Sequence, residues 1–313
     1  MGRTLRLGSR RSPMAIEQSR QVAGMITERT GCRVEIVGVT TLGDVSRAQV
    51  SQIGGTGIFV SALREALAGG EVDLAVHSLK DLPTGPAVGI ALAAVPLRDD
   101  PRDALVARDG AKLADLPYGA RIGTGSPRRA AQLLGLRADL RCVPIRGNAN
   151  TRLDKVTEGE LDGVVLACAG LARIGYVSAI TQVFEPDEML PAPGQGALAV
   201  ECRAGEPGLA ALLEAVNDQA SLAAVTAERS LLDALSAGCS APIGAYAAGG
   251  ERLQMRAAVI SADGSRVLRA HGSAPSADAD RLGRELAAEF LRRGACDLIG
   301  VPQAPDSSGM DAE

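Results

Sequence analysis

The stretch ARIGTGSPRRAAQLLG, residues 120–135, decides how the chain is read. A short strand-forming run turns through Gly123 and Gly125. Ser126 then stands as a helix N-cap, with Pro127 at the first helical position. A strand that passes through a glycine turn straight into a helix is the repeating unit of an α/β sheet. Arg128 and Arg129 fall in the first helical turn, where free backbone N–H groups already make the helix end positive. Two guanidiniums there suit an anion held at the helix N-terminus. The plainer alternative is a pair of solvated surface arginines, and the motif alone does not separate phosphate from carboxylate.

The same design recurs upstream. RLGSRRSPMA, residues 6–15, ends a strand, places Arg10 and Arg11, and restarts as a helix at Ser12-Pro13. IRGNANTRLDK, residues 145–155, adds Arg146 at a strand end and Arg152 in the next helical turn. Ligands of open α/β sheets bind at the carboxyl ends of strands, where all three stretches fall. Between Arg121 and Lys155 there are eight basic and two acidic residues. That is more positive charge than one phosphate needs. DLAVHSLKDLPT, residues 73–84, follows a buried strand with His77, Ser78, Lys80 and Asp81 in the same topological place. Lys80 beside Asp81 reads either as an exposed ion pair, worth about 0–1 kcal/mol, or as part of the site. An arginine-rich pocket would keep the aspartate ionised. GGTGIF, residues 54–59, lacks the Lys-Ser/Thr of a nucleotide loop and reads as a turn or lid.

Strand and helix alternate over the first two hundred residues, which predicts parallel α/β sheets covered by helices. After residue 203 the pattern changes. A helical region over 209–235 precedes strands near 243–248, 252–260 and 265–271 and a helix near 277–293, an α+β unit. The polar tail at 301–313 is expected to be disordered. The chain has 313 residues and 46% hydrophobic content, enough for two or three cores. No apolar run reaches the length of a membrane span, and the first fifteen residues lack an apolar signal-like core. A cytoplasmic protein is expected. A net charge of −4 argues against nucleic acid. The six cysteines form no CxxC, and neither histidine sits at zinc spacing, so no metal is expected. Cys239 stands alone on a tight turn in GCSAPIGAYA, residues 238–247, where nothing nearby in sequence can pair with it.

Taken in order, RLGSRRSPMA, GGTGIFVSALREAL, DLAVHSLKDLPT, RDDPRDALV, IGTGSPRRAAQL, IRGNANTRLDK, LACAGLARIG, LPAPGQGALAVECR and GCSAPIGAYA resemble the porphobilinogen deaminase (hydroxymethylbilane synthase) family across nearly the whole chain. The resemblance implies two α/β domains of periplasmic-binding-protein type, residues 1–95 with 196–215 and residues 96–195. A C-terminal α+β domain with a small antiparallel sheet, residues 216–300, would carry the cofactor cysteine. It implies a dipyrromethane cofactor on a thioether to Cys239. Four porphobilinogens would add head to tail, each losing ammonia, before hydrolysis releases 1-hydroxymethylbilane for uroporphyrinogen III synthase. The enzyme would be a monomer.

By the same resemblance Asp81 is the catalytic carboxylate, stabilising the cationic azafulvene of deamination. Ser78, Lys80, Thr124, Ser126, Arg128 and Arg129 are implied as cofactor contacts. Arg10, Ser12, Phe59, Arg146, Arg152, Arg173 and Gln195 are implied around the substrate. Each pyrrole carries two carboxylates, which accords with an arginine-rich site and no metal. The family's loop lysines are replaced here by Gln52 and Thr56. Two rival readings are a bilobal anion-binding protein without catalysis, which leaves Cys239 unexplained, and a thiol enzyme using Cys239 with His77 as base.

Overall fold

The computed structural model describes residues 4–39, 57–237 and 241–299, with residues 57–59 described for their backbone only. Phe59, Cys239, Gln52, Thr56 and the 301–313 tail therefore lie outside the described side chains. Among the described residues the strands form three sheets. In the first, β1 (Leu5–Ser9) lies between β2 (Val34–Gly38) and β3 (Leu74–Ser78), all parallel. Helices α1 (Pro13–Thr30) and α2 (Gly57–Ala68) link them. Ser12 caps α1 by accepting a hydrogen bond from the Ala15 amide, and Gly31 closes it in the left-handed conformation.

The parallel sheets expected from the alternation turn out to be mixed. β4 (Ile90–Ala94) does not pair with β3. Between them runs β10 (Leu198–Arg203), antiparallel to both and more than a hundred residues later in the chain. The second sheet repeats this order. β6 (Arg121–Gly123) lies parallel between β7 (Arg141–Val143) and β8 (Gly163–Ala167). β5 (Asp103–Ala107) then runs antiparallel between β8 and β9 (Gln182–Phe184). Helices α3 (Pro127–Leu136), α4 (Ala149–Thr157) and α5 (Cys168–Arg173) complete this half. Each half thus takes its antiparallel strand directly after a crossover from the other. The crossovers are residues 95–102 and 185–197. Strand alternation with helices encodes the three parallel strands, whereas an antiparallel strand arriving from another half leaves no local signal.

The helical run at 209–235 is interrupted. α6 (Pro207–Leu213) and α7 (Gln219–Ala234) are separated at Asn217-Asp218, because Asp218 caps α7 through the Ser221 amide and Asn217 accepts from the Val95 amide at 2.9 Å. The third unit pairs β11 (Ile243–Gly249), β12 (Arg252–Ile260) and β13 (Val267–Pro275) antiparallel. α7 and α8 (Ala279–Arg292) cover the sheet, and α9 (Ala295–Ile299) follows. Among the described residues no helix is long and apolar enough to cross a membrane.

Candidate active site

β3 carries the first part of the site to its carboxyl end. The buried strand ends at Ser78, and a single 3-10 turn, Leu79–Asp81, follows. Leu79 is buried as its anchor, while Asp81 is exposed. A cavity of about 170 Å3 opens here, lined by Arg10, Gln18, Val60, His77, Ser78 and Asp81 among others. Gln18, buried on α1, donates to the Ser78 hydroxyl at 2.7 Å. Glu201 of β10 accepts from Arg64 Nη2 at 2.7 Å and Nε at 3.1 Å, and Nε2 of His77, which lines the cavity, lies 3.1 Å from it. Burial opposes ionisation of Glu201, but His77 and Arg64 prevail and hold its carboxyl at about 2.

The second part stands at the start of α3. Ser126 caps the helix, accepting from the Arg129 amide, and Thr124 Oγ1 accepts from the Ser126 amide at 3.2 Å. Arg128 and Arg129, expected as anion ligands or as surface residues, are buried at 3% and 6% exposure. Both grip Asp103, the first residue of β5: Arg128 Nη1 at 2.7 Å and Arg129 Nε at 2.9 Å. Gln195 in the second crossover donates to the same carboxylate at 2.8 Å and to the Pro101 carbonyl at 2.7 Å. Burial would raise the Asp103 pKa; the two guanidiniums override it and hold the carboxyl far below its usual range.

One carboxylate against two guanidiniums leaves this cluster net positive. Lys80 adjoins it. Burial, then Arg129, push its ammonium down to about 8, against the pull of Asp81 and Asp103. Burial and Arg129 likewise lower Arg152, which donates to the Gly147 carbonyl at 3.0 Å. Arg173 donates to Asp99 at 2.6 Å and to the Gly196 carbonyl at 3.0 Å, so it bridges the two crossovers. Burial lowers its pKa despite Asp99. Arg146 is exposed. The structure therefore joins Arg10, Ser78 and Asp81 around one cavity and Arg128, Arg129 and Gln195 around Asp103, with Lys80 between the groups. Ser12, Thr124 and Ser126 serve as caps and turn residues.

Among the buried acids missed from sequence, Asp103, Glu201 and Glu228 bear on the site. Asp103 sits inside RDDPRDALV, and its place in an arginine-rich stretch was the available signal. Glu228, fully buried on α7, takes Arg98 at 2.7 and 3.1 Å and the amides of Gly194 and Ala247 at 2.7 and 2.8 Å. It ties the third unit to both crossovers.

The donors left over fit a polyanionic cofactor. Arg128 Nε and Arg173 Nε are buried with no hydrogen-bond partner among the described residues, and an orphaned guanidinium donor is costly unless an acceptor reaches it. Two family models match the chain: "porphobilinogen deaminase, dipyromethane cofactor binding domain" over residues 5–211, which span the site residues from Arg10 to Glu201, and "porphobilinogen deaminase, C-terminal domain" over residues 222–292. The chain belongs to the porphobilinogen deaminase family. It is 58% identical to the porphobilinogen deaminase of Thermobifida fusca over 94% of this chain and 95% of that protein. It is 53% identical to porphobilinogen deaminase 1 of Streptomyces coelicolor, over 95% and 98%. Among solved structures, a periplasmic substrate-binding protein from Coxiella burnetii aligns with 70% of this chain and 94% of its own at 17% identity and a TM-score of 0.43.

Proposed function

We propose that the protein is a hydroxymethylbilane synthase. It condenses four porphobilinogens head to tail onto a dipyrromethane primer held by a thioether to Cys239, releasing one ammonia for each carbon–carbon bond formed. Water then frees 1-hydroxymethylbilane, which passes to uroporphyrinogen III synthase. The enzyme works as a cytoplasmic monomer. Its domains run over residues 1–95 with 196–215, 96–195 and 216–300; the insertion of β10 into the first sheet supports this division.

The observation that carries the reading is an exposed carboxylate, Asp81, on a cavity that Arg10 also lines, with Lys80 next to it in the chain. Pyrrole acetates and propionates are the acceptors that Arg10, Lys80, Arg146, Arg152 and Arg173 would hold, and the orphaned Nε atoms of Arg128 and Arg173 supply two further donors. Asp81 accepts the pyrrole N–H and stabilises the positive charge that develops as ammonia leaves. Ser12, Ser78, Thr124 and Ser126 shape the rims of the site. When bound, the dipyrromethane supplies the nucleophilic pyrrole end on which the chain grows. Gln195 keeps Asp103 and Arg129 in register, so the arginines are oriented before ligand arrives.

The intact mass of the denatured, purified protein tests this reading. The expected mass is the chain plus two porphobilinogens less two ammonias, with the adduct mapping to the peptide that contains Cys239. A bare mass that stays bare after incubation with porphobilinogen sinks it.

A further inference from the structure

A second cavity, of about 370 Å3, lies between the outer face of β12–β13 and residues 186–190 of the second crossover. This is the size range of pockets for small organic ligands, roughly 300–1,000 Å3, and is far larger than an inorganic anion needs. Strand alternation builds its wall. Leu253, Met255, Ala257, Ala270 and Ala274 turn into the core of the third unit, leaving Arg256, Arg269, His271 and Ser273 on the exposed face. In register, Arg256 lies opposite His271 and Ala258 opposite Arg269, which makes the two arginines diagonal neighbours.

Like charges so placed on one sheet face repel. Among the described residues lining the cavity the acid is Asp187, and it pairs with Arg256. Two guanidiniums and an imidazole thus face one carboxylate, in a chain whose net charge is −4. We propose that this cavity binds a small organic polycarboxylate, at a place distinct from the cavity at Asp81. The Arg269 fork and the His271 and Ser273 donors meet the carboxylates, and Leu190 receives the apolar body.

Leu190 also links this cavity to the buried arginines. Its carbonyl accepts from Arg128 Nη1 at 2.6 Å and from Gln132 at 3.0 Å, and its amide donates to Gln132 at 2.8 Å. Its Cβ packs so closely on β11 that a Cβ added at Gly244 would stand 2.6 Å away. A ligand seated against Leu190 therefore bears on the residue that holds Arg128. The inference rests on this cavity alone and does not depend on the deaminase reading, whose failure would appear as a bare intact mass.

Citrate is a suitable probe, titrated calorimetrically into the purified full-length protein at constant ionic strength, with inorganic phosphate as the comparison. Saturable one-to-one binding is expected for citrate. The Arg269→Ala/His271→Ala double variant should bind roughly tenfold or more weakly, since the charge-assisted Arg269 contact alone is worth about a factor of ten or more. Its turnover without citrate should be unchanged. Ser273→Glu, which sets a carboxylate on the exposed rim, should weaken binding likewise, and it serves if the double variant does not fold. No saturable citrate binding overturns the proposal. So does undiminished binding in the folded variants, which would place citrate among the arginines near Asp81. Equal affinity for phosphate would overturn the organic-ligand assignment.

Discussion

Asp81 stands exposed on a cavity lined by Arg10, Gln18 and Ser78, whereas Asp103 is wholly buried against two arginines. Their substitutions should separate cleanly. Asp81→Asn removes a charge that water already solvates, so unfolding free energy should move by no more than about 0.5 kcal/mol. Turnover of porphobilinogen should fall by about two to three orders of magnitude, the usual loss for one electrostatic stabiliser, while the intact mass keeps its adduct. Normal turnover would remove Asp81 from the mechanism. Asp103→Asn leaves Arg128 and Arg129 buried without their carboxylate. Breaking a buried pair from one side costs about 3–5 kcal/mol, to be read from the urea midpoint; an unchanged midpoint would mean that the guanidiniums find other acceptors. The helix start at Ser126-Pro127 was legible because capping is local. The Arg128–Asp103 contact was not, because its partners are 25 residues apart and meet only when β5 inserts beside β8.

At the scale of elements, the two crossovers decide the geometry. They touch where Gly196 approaches Asp99, and Arg173 bonds both. Gly196 has φ of +87°, and an added Cβ would stand 2.5 Å from the Asp99 carbonyl oxygen. Only glycine fits the conformation and the space. Gly196→Ala should therefore destabilise the protein by about 1–3 kcal/mol and lower turnover, since Gln195 beside it would shift against Asp103. Thermal unfolding and a steady-state assay check both; a variant equal to the parent in each would show that the crossovers tolerate displacement. In both halves the strands β1–β3 and β6–β8 and the helices α1–α4 followed from periodicity and glycine punctuation. The mixed character of each sheet did not, since β10 reads locally like any other buried strand.

For the whole molecule, each α/β half contains a buried carboxylate held ionised by cations: Glu201 in the first, Asp103 in the second. Both have folded pKa values below their ordinary ones. Each therefore contributes stability that is complete above its unfolded pKa and is lost as pH falls through the folded one. For Glu201 the window runs from 4.5 down to about 2, and the loss across it is on the order of 3 kcal/mol. Denaturant midpoints should fall steadily across that range. Glu201→Gln should flatten this fall while lowering stability at neutral pH, where Arg64 loses its partner; an unaltered acid limb would show that other carboxylates govern it. By itself the sequence determined the α/β character of the first two hundred residues, the α+β third unit, the helix caps and the family's ordered motifs, because each depends on neighbours in the chain. Only the tertiary structure decided that Arg128 and Arg129 close on Asp103, that Glu228 ties the third unit to both crossovers, and that a cationic cavity forms against residues 186–190. Those contacts join segments brought together by the two crossings of the chain, and a long-range ion pair is specified by where the backbone has gone.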